Sequence, residues 1–259
     1  MYTEQLVSFI DILGFKNLIK SKNCEEILKI HDAFYKVNKQ EGEDLSGLTK
    51  FKMINFSDCI VRCRPSNNVA PPFFCELSDL LNIQWQLIYH DVPIRGAVTI
   101  GDIYVNRTDE KATVFGKALN EAYRLESKKA KYPRIIVDES VLEAIPTEYK
   151  NDLLKQDDSD GYYFINYLNC KSEMWQQNQG KHYLTFLTRH KKVCEKLLEE
   201  GTQEEDENKR KKLKEKGDWL KKYHNDHIYR CIFQLTIRPE LEQELEITTL
   251  ELKNKLLTD

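Results

Sequence analysis

The amino-acid sequence is that of an ordered, globular protein without a general affinity for polyanions. It has 259 residues, which is enough for one catalytic domain with an appendage. Hydrophobic residues make up 41% of the chain, and the formal net charge is −3. A charge so close to neutral gives no reason to expect binding to nucleic acid.

The cysteines and the start of the chain indicate a soluble, cytoplasmic protein. The seven cysteines are scattered, without the paired spacing of a zinc site or a disulfide framework. The N-terminus lacks the basic-then-apolar pattern of a signal peptide, and no apolar run approaches the roughly 20 residues needed to span a bilayer. We therefore expect reduced thiols and no membrane partner.

The first element is an apolar run over residues 7–15 that carries one carboxylate, Asp11, and breaks at Gly14. Its β-branched and aromatic residues predict a strand buried on both faces, where an unpaired aspartate is costly and therefore indicates a bound cation. Gly14 predicts a turn into a helix, with the amides of Leu13, Gly14 and Phe15 facing an anion. An aspartate that merely caps the helix is the alternative.

The next segments predict a helix, a second strand and another helix. Asn23 is placed to cap a helix, and the polar residues 39–50 predict a loop. Residues 51–62 then resemble the first strand, with Asp58 in their apolar middle. Pairing of the two strands would bring Asp58 beside Asp11, and neighbouring carboxylates are stabilised by a divalent cation. Residues 67–72 predict a loop and residues 75–90 a helix.

Two further segments carry polar side chains in regular structure. Residues 94–105 predict a strand or hairpin in which Arg95 precedes a glycine suited to close backbone approach. Residues 114–127 predict a helix on which Asn120 and Arg124, four positions apart, share a face. A strand over residues 134–138, a short helix over 139–145 and a strand over 162–168 complete a pattern that predicts an α/β fold.

The last third of the chain is predicted to be helical and highly charged. Residues 199–216 are almost all charged, which favours a solvated hairpin tip or loop. An apolar stripe follows, which should pack on the domain or on a second subunit. Within it, His224, His227 and Cys231 could bind a metal, but three ligands on one helix without a fourth favour core packing.

Four motifs together resemble, in order and spacing, the class III nucleotidyl cyclase domain. They are Phe-Ile-Asp-Ile-Leu-Gly-Phe at residues 9–15, Ser-Asp at 57–58, Arg-Gly at 95–96 and Asn-Glu-Ala-Tyr-Arg-Leu-Glu at 120–126. The resemblance covers roughly residues 5–140. It implies an α/β (α+β sandwich) fold with a ferredoxin-like core, a catalytic domain over residues 1–175 and a charged helical extension over residues 176–259 that packs on the core or the dimer partner.

The same resemblance implies a two-metal enzyme that converts a nucleoside triphosphate into a 3′,5′-cyclic monophosphate and pyrophosphate. It implies a homodimer with shared active sites, because in this family the metal carboxylates and the Asn/Arg pair of one site come from different subunits. Arg95 either holds phosphate or braces the sheet. The implied ligands of two Mg²⁺ or Mn²⁺ ions are Asp11, Ile12 and Asp58. The implied phosphate-binding segment is Leu13, Gly14 and Phe15. In the implied catalytic pair, Asn120 would orient the ribose and Arg124 would stabilise the transition state.

The positions that select the base depart from those of purine-specific adenylyl cyclases. Those enzymes have a lysine four residues before the second metal aspartate and an aspartate seven before the asparagine, where this chain has Ile54 and Thr113. The apolar side chain of Ile54 and the single hydroxyl of Thr113 cannot hydrogen-bond adenine as the lysine and aspartate do. The motif variants and the tail at residues 219–225 look most like the bacterial Pycsar pyrimidine cyclases, which implies CTP or UTP as substrate and a separate effector in antiphage defence.

Two other functions remain open at this stage. The chain could be a purine cyclase with an atypical base pocket. It could also be a catalytically inactive cyclase-like domain that binds a ligand or partner without turnover, although the presence of both metal carboxylates and the Asn/Arg pair speaks against this.

Overall fold

The computed structural model describes residues 1–38, 51–66, 71–107, 112–169, 180–239, 241–242 and 248–258. The chain divides into two compact units, one formed by Met1–Leu87 with Val92–Tyr167 and the other by Ile88–Asp91 with Leu168–Asp259. The expected domain boundary at residue 175, the loop at 39–50 and most of the loop at 67–72 lie outside the described residues.

The first unit is a mixed α/β structure built on an eight-stranded sheet, which confirms the predicted fold class. Its strands are β1 (Thr3–Ile12), β2 (Lys52–Phe56), β3 (Cys59–Pro65), β4 (Ile94–Arg107), β5 (Ala112–Gly116), β6 (Ile135–Val137), β7 (Leu154–Gln156) and β8 (Tyr163–Ile165). Its helices are α1 (Phe15–Ser21), α2 (Cys24–Asn38), α3 (Pro71–Tyr89), α4 (Lys117–Lys128), α5 (Glu139–Ala144) and α6 (Thr147–Leu153). The strand order is β2-β3-β1-β4-β6-β8-β7, and β5 pairs with β4.

The central strand β1 is antiparallel to both of its neighbours and fixes the register of the sheet. Its apolar residues are buried, as the sequence predicts. Near its end, Asp11 lies opposite Cys59 on β3 and opposite Arg95 on β4. Because side chains directly across a ladder lie on the same face, this register brings an acid, a thiol and a guanidinium together.

Helices cover the two faces of β1. Phe9 joins an apolar cluster with Ala118 and Ala122 of α4 on one face. On the opposite face, Ser8 donates a 2.8 Å hydrogen bond to Glu76 of α3. Alternate residues of a strand point to opposite faces, so Asp11 shares its face with Phe9 and α4.

Three predicted boundaries are wrong for local reasons. Residues 51–62 form a hairpin rather than one strand, because the chain turns at Ser57, whose φ is 56°, and Asp58. The helix predicted from residue 114 begins at Lys117, after Gly116, where a Cβ would lie 2.5 Å from the carbonyl oxygen of Asp102. Pro71 begins α3 instead of belonging to a loop, since a first-turn residue needs no amide hydrogen.

The second unit contains a helical hairpin formed by α7 (Gly180–Gln203) and α8 (Glu207–Ile237). As predicted, the highly charged residues 199–216 form its tip. Asp206 caps α8 by accepting hydrogen bonds from the amides of Asn208 and Lys209, both 3.0 Å long. Across the described residues, no helix has the length and apolarity that a membrane span requires.

Buried histidines of the hairpin act as neutral packing groups. The rings of His190 and His224 stack, with their Nδ1 atoms 3.0 Å apart, and Nε2 of His224 donates to the carbonyl of Leu256 at 2.7 Å. Burial lowers the pKa of His224 to about 4. No three histidine, cysteine or acidic side chains in the described part of this unit have donor atoms close enough to share an ion.

Candidate active site

The candidate site lies where the end of β1 meets the β2–β3 turn. The amide of Ile12 donates a 3.1 Å hydrogen bond to the carbonyl of Asp58, which ties the turn to the central strand. The left-handed conformation of Ser57 makes the turn tight, so Asp58 lies close to the ladder rather than extending into solvent. The site therefore rests on two rigid elements, an antiparallel ladder and a two-residue turn.

The structure brings Asp58 beside Asp11 and adds a thiol to the pair. The side-chain donor atoms of Asp11, Asp58 and Cys59 all lie within 4.8 Å of one another, and no other such group of three occurs in the described part of the chain. Sγ of Cys59 is 3.6 Å from Oδ1 of Asp11 and 4.0 Å from Oδ1 of Asp58. All three residues are partly exposed, so a small ion can reach them.

Arg95 joins this group to a third carboxylate. Its Nε and Nη2 atoms each donate a 3.1 Å hydrogen bond to Oδ2 of Asp11. The same Nε is 2.7 Å from Oε1 of Glu126, at the end of α4. That oxygen is buried and accepts no hydrogen bond from any described group. Arg95 thus contacts two acids and leaves Glu126 incompletely satisfied.

The protonation equilibria reflect an excess of negative charge in a partly buried site. Burial raises the pKa of Asp11, and Arg95 only partly opposes it. Burial, with Asp11 and Asp58 adding to it against Arg95, raises the pKa of Glu126 to about 7. The Cys59 thiol has a pKa of about 12 for similar reasons. Three carboxylates against one arginine form a site that fits a divalent cation.

Asn120 and Arg124 occupy the exposed side of α4. The helix directs Ala118, Ala122 and other small or apolar residues toward the sheet, while Asn120 and Arg124 are exposed. Arg124 binds the neighbouring Glu121 through two hydrogen bonds of 2.7 and 2.5 Å. The predicted shared face is present, and it is turned toward solvent.

Asp11 and Arg124 each have charged partners close by. The charged groups that act on Asp11 include Arg95, Asp58 and Glu126. Those that act on Arg124 are Glu121 and Asp138, with a contribution from Tyr162. Arg124 thus pairs with Glu121 on the exposed side of α4, whereas Asp11 pairs with Arg95.

In the segment predicted to bind phosphate, residues 13–15, at least one of the three amides is already hydrogen-bonded within the protein. Gly14 adopts the expected left-handed turn, with φ 77°. The amide of Leu13, however, donates a 3.0 Å hydrogen bond to the carbonyl of Pro93 and so does not face an anion. Phe15 opens a helix of only seven residues and packs edge-on against His31, with ring centroids 6.0 Å apart.

The two positions expected to contact the base differ in exposure. Ile54 is 6% exposed and belongs to the apolar cluster beneath α4. Thr113 is partly exposed on β5, where it lies opposite Asn106 of β4. In this structure the Ile54 side chain serves the core, and contact of either residue with a nucleotide stays a prediction.

Sequence reasoning missed Cys59 and Glu126. The position of Cys59 depends on the β1–β3 register and on the turn, neither of which the apolar pattern of residues 51–62 reveals. The burial of Glu126 could have been inferred from the helical period, because Glu126 follows the buried Ala122 by four positions on α4.

Comparisons with known proteins give structural similarities only. No protein-family model and no curated protein matches the chain. The adenylyl cyclase CyaB of P. aeruginosa has a TM-score of 0.47 and 16% identity over 64% of this chain and 94% of its own. The guanylate cyclase domain of RhGC from Catenaria anguillulae, solved with GTP, has a TM-score of 0.46 and 17% identity over 63% and 96%. A class III adenylyl cyclase-like ATP-binding protein from Pseudomonas aeruginosa has a TM-score of 0.44 and 8% identity over 61% and 37%.

Proposed function

We propose that this protein is a class III nucleotidyl cyclase. The observation that carries the proposal is the convergence of Asp11 and Asp58 in one group of metal-ligating side chains at the end of the central strand. Both belong to motifs that resemble the cyclase family, and the excess negative charge around them suits a metal-bound polyphosphate. The reaction would form a bond from the ribose 3′-oxygen to the α-phosphorus and release pyrophosphate, while the 3′-hydroxyl gives up its proton.

The residues of the chain have distinct roles in this proposal. Asp11 and Asp58, with position 12, would hold Mg²⁺ or Mn²⁺, which when bound stabilises the attacking and leaving oxygens. Arg95 braces Asp11 and lies close enough to the metal group to bind a phosphate oxygen. Arg124 would donate to the phosphoryl oxygens through its planar guanidinium.

The proposal includes a homodimer with two shared sites, as the resemblance to the cyclase family implies. Arg124 lies on the exposed side of α4, where its guanidinium pairs with Glu121. A second copy that presents its own α4 to Asp11 would complete the site. Asn120, exposed on the same side of the helix, would then reach the ribose.

The favoured substrate is a pyrimidine nucleotide, CTP or UTP. Ile54 offers no hydrogen bond and Thr113 offers a single hydroxyl, so neither reproduces the lysine and aspartate that select adenine. The motif variants extend the proposal to a cytoplasmic, Pycsar-like signalling enzyme whose cyclic product activates a separate effector in antiphage defence. A purine cyclase and a non-catalytic binding domain are the competing functions.

A substrate screen tests the proposal. Purified protein is incubated with Mn²⁺ and, in turn, ATP, GTP, CTP and UTP, and products are identified by mass spectrometry, with the Asp58→Asn variant as the matched control. We expect cyclic CMP or cyclic UMP from the wild-type protein only. Cyclic AMP or cyclic GMP would contradict the base assignment, and no product with any nucleotide would contradict the enzymatic function.

A further inference from the structure

We propose that the thiol of Cys59 is a third ligand of the metal site formed by Asp11 and Asp58. The site would then favour cations with an affinity for sulfur, such as Cd²⁺, Zn²⁺ and Co²⁺, in addition to Mg²⁺ or Mn²⁺. This inference rests on the proposed function, because it concerns the same two carboxylates. It assigns a role to a residue that the cyclase motifs leave without one.

The distances match those between ligands of one ion. Metal–sulfur bonds of about 2.3 Å and metal–oxygen bonds of about 2.1 Å, at a tetrahedral angle, place the sulfur and oxygen about 3.6 Å apart. Sγ of Cys59 lies 3.6 Å from Oδ1 of Asp11 and 4.0 Å from Oδ1 of Asp58. An ion can therefore bind all three atoms with little movement of the backbone.

The sheet presents these atoms in the orientation that binding needs. Cys59 is the direct cross-strand neighbour of Asp11, so both side chains rise from the same face. Arg95 occupies Oδ2 of Asp11 and leaves Oδ1 facing the thiol. Arg95 then stabilises the position of the carboxylate from behind, as outer-shell partners of metal ligands commonly do.

The charge of the surroundings also suits a divalent cation. Asp11, Asp58 and Glu126 face a single arginine, which lies 2.7 Å from the buried Oε1 of Glu126 and also binds Asp11. A divalent ion would offset this excess. On coordination the thiol releases its proton to solvent and the sulfur forms the metal bond, so no oxidant or reductant is needed.

Cobalt spectroscopy tests the assignment without measuring catalysis. Metal-stripped, reduced protein is titrated with Co²⁺, and thiolate-to-cobalt charge transfer is followed in the near-ultraviolet. The variants are Cys59→Ser, which keeps the size of the side chain, and Cys24→Ser, which removes an exposed thiol elsewhere. We expect the band in wild type and Cys24→Ser and its loss in Cys59→Ser, with Cd²⁺ affinity falling about tenfold or more.

Metal affinities separate failure of this inference from failure of the proposed function. Mg²⁺ and Mn²⁺ affinities, measured by calorimetry, should change little in Cys59→Ser but fall sharply in Asp11→Asn. If the charge-transfer band persists in Cys59→Ser, or is absent from wild type that still binds Mn²⁺ through Asp11, the thiol is not a ligand while the carboxylate site stands. If the wild-type protein binds none of these ions, both proposals are wrong.

Discussion

At the scale of single residues, Asp11 combines a structural and a chemical role. Its Oδ2 is held by two hydrogen bonds from Arg95, and its Oδ1 faces Cys59 and Asp58. Because one oxygen is fixed by the protein, the other is oriented before any ligand arrives, which lowers the entropic cost of binding. A substitution that keeps the shape but removes the charge isolates the chemical role.

Replacement of Asp11 by asparagine should abolish turnover without unfolding the protein. The metal ions are expected to stabilise the transition state by several kcal/mol, so cyclase activity should fall on the order of 10³-fold. Product formation and circular dichroism measure the two properties. Asp32→Asn, an exposed site on α2, is the matched control and should retain activity. Wild-type activity in Asp11→Asn would exclude a metal role for this carboxylate.

Glu126 should make the metal-free protein less stable as the pH rises. The folded-state pKa of this carboxyl is about 7, above its ordinary value of 4.5. The folded protein therefore holds a proton that the unfolded chain has lost, and the free energy of unfolding should decrease between about pH 4.5 and 7 and level off above. Urea unfolding at several pH values, with a chelator present, measures this slope.

Glu126→Gln tests this prediction, and Glu121→Gln, on the same helix, is its control. Removal of the Glu126 carboxyl should flatten that part of the pH profile. The partly exposed Glu121, whose pKa is lowered by its hydrogen bond to Arg124, should leave the profile close to that of wild type when replaced. Equal slopes in wild type and Glu126→Gln would show that Glu126 is ionised in the folded protein throughout this range.

At the scale of elements, a buried ion network joins α3 to the sheet opposite the site. Arg62 and Arg64, neighbours on one face of β3, are fully buried and contact Glu76 and Asp79 of α3. Ser8 of β1 donates to the same Glu76. Burial alone would raise the pKa of Glu76, but the two arginines outweigh it and hold it at about 2.

Glu76→Gln should destabilise the first unit more than most single substitutions. The change leaves two buried guanidinium groups with one carboxylate, and breaking a buried ion pair from one side costs about 3 to 5 kcal/mol. Thermal or urea unfolding measures the loss, and Gln86→Ala, an exposed position on the same helix, is the control. If the free energy of unfolding fell by less than about 1 kcal/mol, water or a rearranged Asp79 would have to stabilise the charges of the two arginines in place of Glu76.

The strands and helices differ in how far the sequence alone predicts them. An apolar run predicted β1, because burial leaves a local pattern in the chain, and the pairing of two such strands predicted that Asp58 lies beside Asp11. The hairpin at Ser57 was missed, since a left-handed serine is not signalled by composition. Cys59 and Glu126 were missed because their places depend on strand register and helix packing, which are set by distant residues.

At the scale of the whole molecule, the proposed function predicts a homodimer in which each site uses residues of both chains. Asp11 lies near the end of β1 and Asp58 in the β2–β3 turn, and Asn120 and Arg124 lie on the exposed side of α4. The cyclase resemblance predicts that these two pairs of residues come from different subunits, and this stays a prediction. The exposure of Asn120 and Arg124 required the structure, because the side of α4 that faces the sheet depends on which residues pack against β1 and β4.

Two inactive variants should restore activity when they are mixed. In a dimer of Asp58→Ala with Arg124→Ala, one site carries both defects and the other has neither, since each site takes its metal carboxylates from one subunit and its arginine from the other. Random exchange gives mixed dimers in half of the population, each with one of two sites intact, so about a quarter of wild-type activity should return.

The measurement is product formation as a function of the mixing ratio, with subunit exchange confirmed by a size or affinity tag on one variant. Asp58→Ala mixed with Asp11→Ala is the control that should stay inactive, because both changes then affect the metal carboxylates and every site lacks one of them. Recovery in the first mixture and not in the second requires sites built from two chains. Without recovery despite confirmed exchange, the shared-site homodimer would be wrong, and each chain would have to assemble Arg124 with its own Asp11.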